Sequence, residues 1–170
     1  MIFWTCRALH QARQLRKQAT ELASVVDAGV ETARPTSMRS LTRLSIEIPQ
    51  EPVYINADPL RIAQVLSNLL TNAAKYTDAG GNIRLLARRS SDSMVIQVID
   101  YGIGIASEAL PRIFHMFSQV TASQDRSDGG IGIGLAPARG LVELHGATSR
   151  QRASASAGEA NSPCVCPSEW

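Results

Sequence analysis

The chain has 170 residues, 44% hydrophobic and 5% aromatic, with 17 basic against 15 acidic side chains and a net charge of +2. That length holds one good core; the balanced charge argues against nucleic acid or an anionic membrane as partner, and the few aromatics argue against a base-stacking platform. Cys6, Cys164 and Cys166 lie at the two ends, which is no disulfide framework and fits a reducing cytoplasm; no apolar run reaches the roughly 20 residues of a membrane span, and no secretory signal is evident.

Residues 5–19, rich in Arg, Gln, Ala and Leu, read as a helix. Glu21 to Ala33 carries Leu22, Val25, Val26 and Val30 at helical spacing, and Pro35 is expected to end that helix. Leu44 to Ile48 alternates as a strand, and Val53 to Asn56 is a second short one. Asp58-Pro59 then supplies an N-cap and a first-turn proline. The helix it starts, Pro59 to about Tyr76, has an apolar stripe of Ile62, Val65, Leu66, Leu69, Leu70 and Ala73. A polar stripe runs beside it through Arg61, Gln64, Asn68, Asn72 and Lys75. Such a stripe is ordinarily a solvated face. Two asparagines one turn apart do nothing for helix stability, however, and favour a face that binds something.

Asp78 to Asn82 is a turn, Ile83 to Arg88 a strand, Ser90 to Ser93 a turn, and Met94 to Ile99 the antiparallel partner strand. Glu108 to Phe117 reads as a short helix, Thr121 to Gly130 as a polar flexible stretch, and Leu135 to Leu144 as a helix closed by His145-Gly146. Residues 149–170 show no apolar period and read as a poorly ordered tail. One layer of helices on one face of a mixed, mostly antiparallel sheet is the expected architecture, a two-layer α+β sandwich.

The most informative residue is Asp100, at the end of the second hairpin strand and the start of Asp100-Tyr101-Gly102-Ile103-Gly104-Ile105. At period two it shares a face with Met94, Ile96 and Val98, the face expected to be buried. A buried carboxylate is costly unless something donates to it. The following glycines let another molecule approach the backbone. An acid so placed suits a pocket that reads a donor on a ligand, such as an adenine amino group.

Asn68 to Thr77, Asp100 to Ile105 and Gly129 to Leu135 resemble, in order and spacing, the N, G1 and G2 boxes of the ATP-binding domain of sensor histidine kinases. Ile113 to Gln119 resembles the F box between the last two. The superfamily is shared with gyrase, a heat-shock chaperone and a mismatch-repair protein. The resemblance covers roughly Glu21 to Gly146 and implies a Bergerat-type fold over 21–148. Residues 1–20 would then be a remnant of the linker from a dimerisation domain.

The resemblance implies roles residue by residue. Asn72 ligates Mg²⁺ through its amide oxygen; Asn68, one turn away, supports the metal or a phosphate; Lys75 brings positive charge to the phosphates. Tyr76 offers a ring beside base or ribose, or simply caps the apolar stripe. Asp100 accepts from adenine, with Gly102, Gly104 and Ile105 shaping the base pocket. Gly130, Gly132 and Gly134 let backbone amides meet the triphosphate where the Leu135 helix starts. Thr121 to Gly129 is a lid anchored by Phe114 and Phe117, unless those two are ordinary core. A Rossmann reading ranks below this one, because the glycines come late and strands do not alternate with helices. No P-loop is present, since no Gly-Lys-Ser/Thr occurs.

The implied activity is that of a cytoplasmic histidine kinase catalytic domain, which passes the γ-phosphate of ATP to a histidine on a separate dimerisation domain, upstream of a response regulator. Related ATP hydrolases resemble one another in having Glu where this chain has Asn68, and an amide cannot serve as a general base. The alternatives are an ATP-binding but inactive interaction module, and a serine kinase or ATP hydrolase of the same superfamily. His10, followed by Gln11 rather than an acid, does not match the family's acceptor motif. Pro137 stands where the family usually has an apolar residue, Ala147 replaces a glycine, and the family's closing strands are not evident after Ser149.

Overall fold

In a computed structural model, whose described residues are 15–90, 93–104, 135–149, 152–153 and 160–167, the chain runs β1 (Gln18–Glu21), α1 (Leu22–Ser40), β2 (Arg43–Glu47), β3 (Tyr54–Ala57), α2 (Pro59–Tyr76), β4 (Asn82–Ser90), β5 (Ser93–Asp100), α3 (Leu135–Leu144), β6 (Thr148–Ser149), β7 (Arg152–Ala153) and β8 (Ala160–Pro167). The main sheet has the order β2-β4-β5-β8-β6, with β7 also on β8. β2 runs parallel to β4 and the other pairs are antiparallel, so the sheet is mixed, as the α+β reading expects. β1 and β3 form a separate two-stranded antiparallel pair.

The apolar patterns become the core. β5 alternates strictly, burying Met94, Ile96, Val98 and Asp100. Its register with β4 sets Ile83 opposite Asp100 and Leu85 opposite Val98. α2 contributes Ile62, Val65, Leu66, Leu70 and Ala73 to the same cluster, with Leu69 partly buried beside it. Each large side chain so buried contributes about 1.5–3 kcal/mol. Asp58 caps α2, its side chain accepting from the Arg61 amide at 3.2 Å, with Pro59 in the first turn. α1 crosses α2 closely at Gly29, where a Cβ would lie 2.8 Å from that of Leu66.

The turn before β4 closes through the Gly81 amide on the Asp78 carbonyl at 2.9 Å, with Gly80 at φ 80°. α3 ends in a Schellman motif: the Gly146 amide donates to Glu143 and the Ala147 amide to Val142, with Gly146 at φ 82°. Ala147 and Val142 are both buried there, supplying the hydrophobic contact that accompanies this motif. Pro137 is the third residue of α3, inside the first turn, where its missing N–H costs no helical bond.

Several sequence expectations need correction. Gln18–Glu21, placed in or beside an N-terminal helical segment, is a strand paired with β3 from Gln18↔Ala57 to Glu21↔Tyr54. The open edge of β3 overrides helix propensity there. Pro35 does not end α1, which continues to Ser40. Glu31, whose carbonyl loses its helical donor to the proline, is exposed, as are Arg34 and Pro35, and water can take the bond.

The expected disordered tail instead holds β6, β7 and β8, and β8 pairs with β5 over eight residues, from Ser93↔Pro167 to Asp100↔Ala160. The apolar pattern of Ala160–Pro167 is weak, but the long second edge of β5 demands a partner. The closing strands that the sequence seemed to lack are therefore present. The readings for Cys6, His10, the 108–117 helix, the F-box residues Phe114, His115 and Phe117, and the 121–129 lid fall outside the described residues. No described helix is long and apolar enough to cross a membrane.

Candidate functional site

The strand-end acid and the end of the asparagine helix meet at one place. Asp100 is 9% exposed at the last position of β5. Its Oδ1 accepts the Gly102 amide at 3.1 Å, which turns the chain sharply after the strand. The loop then docks on the C-terminus of α2, where the Ile103 amide donates to the Tyr76 carbonyl at 3.1 Å. Contact is so close that a Cβ on Gly102 would stand 2.2 Å from the Tyr76 oxygen. Glycine is required here by space, whereas Gly104 is required by its φ of 71°.

Burial pushes the Asp100 carboxyl up to about 6, against the Gly102 N–H, which favours the ionised form. Among the described residues the acid thus has one backbone donor, and burial favours a second. A ligand that brings a donor, such as an exocyclic amine, supplies it.

Asn68 and Asn72 are half-buried on α2, while Lys75 and Tyr76 are exposed at its end. The stripe is not uniformly solvated: Arg61 Nη1 donates to Gln64 Oε1 at 3.1 Å within it, and only its Lys75 end is fully open. Asn72, Lys75 and Tyr76 occupy the final turn and a half of the helix whose last carbonyl, that of Tyr76, accepts the Ile103 amide of the loop after Asp100. Leu135 begins α3, which packs on α2. Ile105, Gly130, Gly132 and Gly134 lie outside the described residues.

Thr77 received no role from sequence. It is 4% exposed at the C-cap of α2, and its hydroxyl finds no hydrogen-bond partner among the described residues. A buried unsatisfied hydroxyl one residue from the Tyr76 carbonyl marks this corner as built for a further polar contact. Nothing in the sequence pattern distinguishes it from a solvated cap.

A cavity of about 370 Å³, lined by Arg43, Leu44, Ser45, Asn82, Arg84 and Tyr101, is not this site. Asn82 and Arg84 flank Ile83, the register partner of Asp100, and so stand on the opposite face of the sheet. Arg84 is already engaged there by Glu47 at 2.7 Å and by Tyr101, which raise its pKa.

Comparison with known proteins identifies the family and the fold. Residues 57–161 match the family model described as histidine kinase-, DNA gyrase B- and HSP90-like ATPase, a match that ends inside β8. The circadian input-output histidine kinase CikA of Synechococcus elongatus is 41% identical over 103 residues, 61% of this chain and 14% of CikA. The adaptive-response sensory kinase SasA of a Synechococcus species is 36% identical over 133 residues, 78% of this chain and 35% of SasA. The sensor histidine kinase RcsC of Escherichia coli is 43% identical over 96 residues, 56% of this chain and 10% of RcsC. The chain therefore spans about a third or less of these relatives.

Among solved structures, the mycobacterial sensor histidine kinase MprB superposes with a TM-score of 0.78 at 23% identity, covering 88% of this chain and 97% of that one. The catalytic domain of histidine kinase ThkA, in a nucleotide-free form, gives 0.77 at 21% identity, covering 90% and 96%. Full-length ShkA in complex with AMPPNP gives 0.76 at 24% identity, covering 94% of this chain and 34% of ShkA. This chain belongs to the histidine kinase-, DNA gyrase B- and HSP90-like ATPase family and carries an ATP-binding catalytic domain of the histidine-kinase type.

Proposed function

We propose that this domain binds Mg²⁺·ATP between the end of β5 and α2, and passes the γ-phosphate to a histidine carried by a dimerisation domain, upstream of a response regulator. The observation that carries the reading is the docking of the Gly102-Ile103 loop on the Tyr76 carbonyl. It sets a buried, donor-hungry acid beside the last turns of the asparagine helix. In this reading Asp100 receives the adenine amino group, and Gly102, Gly104 and Ile105 shape the base pocket. Tyr76 flanks base or ribose, and Lys75 neutralises phosphate charge. Gly130, Gly132, Gly134 and Leu135 offer backbone to the phosphates. The module would work on the cytoplasmic side, where ATP is supplied.

The donor set suits magnesium. Asn68 and Asn72 present neutral, hard oxygens one helical turn apart, and no group of three or more His, Cys, Asp or Glu stands among the described residues. Two amide oxygens leave room for the waters and phosphate oxygens that Mg²⁺ retains. When bound, the ion would neutralise charge on the phosphates. Neither amide can take a proton from water, so the chain's own residues position and neutralise rather than activate a hydrolytic water. That favours transfer to an external imidazole over hydrolysis.

Asn72→Ala is expected to reduce Mg²⁺·ATP affinity about tenfold or more, the worth of one ligand contact to a charged group, with little change in affinity for ATP in EDTA. Calorimetric titration with and without the metal reads both numbers. An equal loss in the two conditions would assign Asn72 to the nucleotide and not to the ion.

A further inference from the structure

His145 has no role in the site described above, yet it is 4% exposed and fully bonded. Its Nδ1–H donates to the Leu141 carbonyl at 2.7 Å, one turn back in α3. Its Nε2 accepts the backbone amide of Asp58 at 3.1 Å, at the mouth of α2. The two bonds require the neutral ring protonated on Nδ1, because a proton on Nε2 would face the Asp58 N–H. Its carbonyl accepts Lys17 Nζ at 3.2 Å, and Asp58 Oδ2 accepts the Arg16 amide at 3.0 Å. The imidazole thus joins the end of α3 to the start of α2, and the chain entering β1 is held beside it by the His145 carbonyl and the Asp58 carboxylate.

We infer that His145 is a positioning residue for the nucleotide: it clamps the end of α3 to the start of α2, and so fixes the phosphate-facing start of α3 against the helix that carries Asn68, Asn72 and Lys75. This rests on the ATP reading. α3 has 10 residues and is about 15 Å long. A tilt at its clamped end therefore displaces Leu135 at the other, where the glycine-rich run enters.

Burial opposes a charge on the ring and lowers its pKa; the Leu141 carbonyl raises it, Lys17 lowers it and Asp58 raises it. Among the described residues, further charged groups nearby are Arg16 and Arg61, which bond or act on Asp58, and the exposed Arg139–Glu143 pair on α3 itself. With a folded pKa below the ordinary 6.5, the clamp is intact above about pH 6.5 and is weakened as pH falls through the folded value.

The test compares Mg²⁺·ATP affinity of the wild-type chain, His145→Gln and His145→Phe, with thermal unfolding to establish that each is folded. Glutamine can place an oxygen where Nε2 accepts and does not titrate, whereas phenylalanine keeps the ring and loses both bonds. The clamp predicts an affinity about tenfold lower for H145F and within about threefold of wild type for H145Q. It also predicts a wild-type-to-H145Q affinity ratio that is flat above pH 7 and falls below pH 6.5. Titration of Asp100 affects both proteins alike and cancels in that ratio. Wild-type affinity in a folded H145F, or a ratio constant from pH 8 to 5, overturns the inference. If H145F does not fold, the ratio decides.

Should no form bind ATP, the ATP reading fails, and amide chemical shifts of H145Q against wild type across the same pH range judge the clamp alone. A pH-driven shift of Leu135, Ala138 and Asn68 seen only in the wild type supports it. Shifts confined to residues 57–61 and 141–147 contradict it.

Discussion

Asp100→Asn is expected to lower ATP affinity by about 100-fold, close to 3 kcal/mol, while leaving the unliganded domain as stable as before or more so. The two effects separate because the charge has opposite worth in the two states. In the unliganded fold the ionised carboxylate is buried and, among the described residues, accepts one N–H, that of Gly102, and its pKa rises from 3.8 to about 6. Between those values the folded state holds a proton that the unfolded chain has released, so stability falls as pH rises toward 6 and is level above it. Asparagine removes that slope, and its amide oxygen can still accept from Gly102.

The ligand reverses the preference, because a donor on the base favours the ionised form and makes a charge-assisted bond. Losing such a bond in a buried pocket costs about 1.5–3 kcal/mol, and more where the ligand's donor is left unpaired. Wild-type affinity for ATP should therefore climb with pH through about 6, by up to about tenfold per unit below it, and level off above 7. The Asp100→Asn curve should lack that rise. Titrations from pH 5 to 8 and urea unfolding of both proteins measure the two halves. A variant that binds ATP normally would remove Asp100 from the purine site. A variant that is both unfolded and non-binding would make the residue structural.

The second large effect is expected at Gly102. An alanine Cβ there would lie 2.2 Å from the Tyr76 carbonyl oxygen, 2.7 Å from its carbon and 3.0 Å from Asp100 Oδ1. The first two are backbone atoms at the end of a buried helix and cannot swing aside. The loop must lift, breaking the Ile103–Tyr76 bond and moving the acid's only described donor. Overpacking of this kind costs up to about 3 kcal/mol, and the same displacement should reduce ATP affinity more than tenfold. Gly104→Ala is the matched control. Gly104 has a φ of 71° and no described residue within 4 Å of where a Cβ would stand, so against these residues it should cost only the left-handed penalty of about 1–2 kcal/mol. Equal unfolding midpoints for Gly102→Ala and wild type would mean that the loop does not rest on α2.

What could be read from the sequence was what local chemistry decides. Asp58-Pro59 fixed the start of α2, the apolar stripe its buried face, and the alternation in Met94 to Asp100 the burial of the acid. Gly146 marked the end of α3. Three things were hidden, two of them because they depend on partners distant in the chain. β1 exists because β3 has an open edge, and β8 because β5 has one; neither segment carries a strong pattern of its own. Pro35 sits within α1 because the carbonyl it deprives belongs to an exposed turn. The candidate site was legible as far as residue types go: Asn68, Asn72 and Asp100 stand out as poor choices for stability alone. The contact between the loop after Asp100 and the end of α2 was not, since the Tyr76 carbonyl is backbone and any residue could supply it. The unsatisfied hydroxyl of Thr77 and the tautomer of His145 are likewise visible only once packing is known.

Nucleotide is expected to bind where the Gly102 loop meets the end of α2. Titrating Mg²⁺·ATP into the isotopically labelled chain and following backbone amides tests it most directly. Saturable shifts centred on Tyr76, Asp100, Gly102 and Asn72, with a higher unfolding temperature at saturation, are the predicted result. An absence of shifts in the folded chain, or shifts centred on Arg43, Asn82 and Arg84 across the sheet, would contradict it.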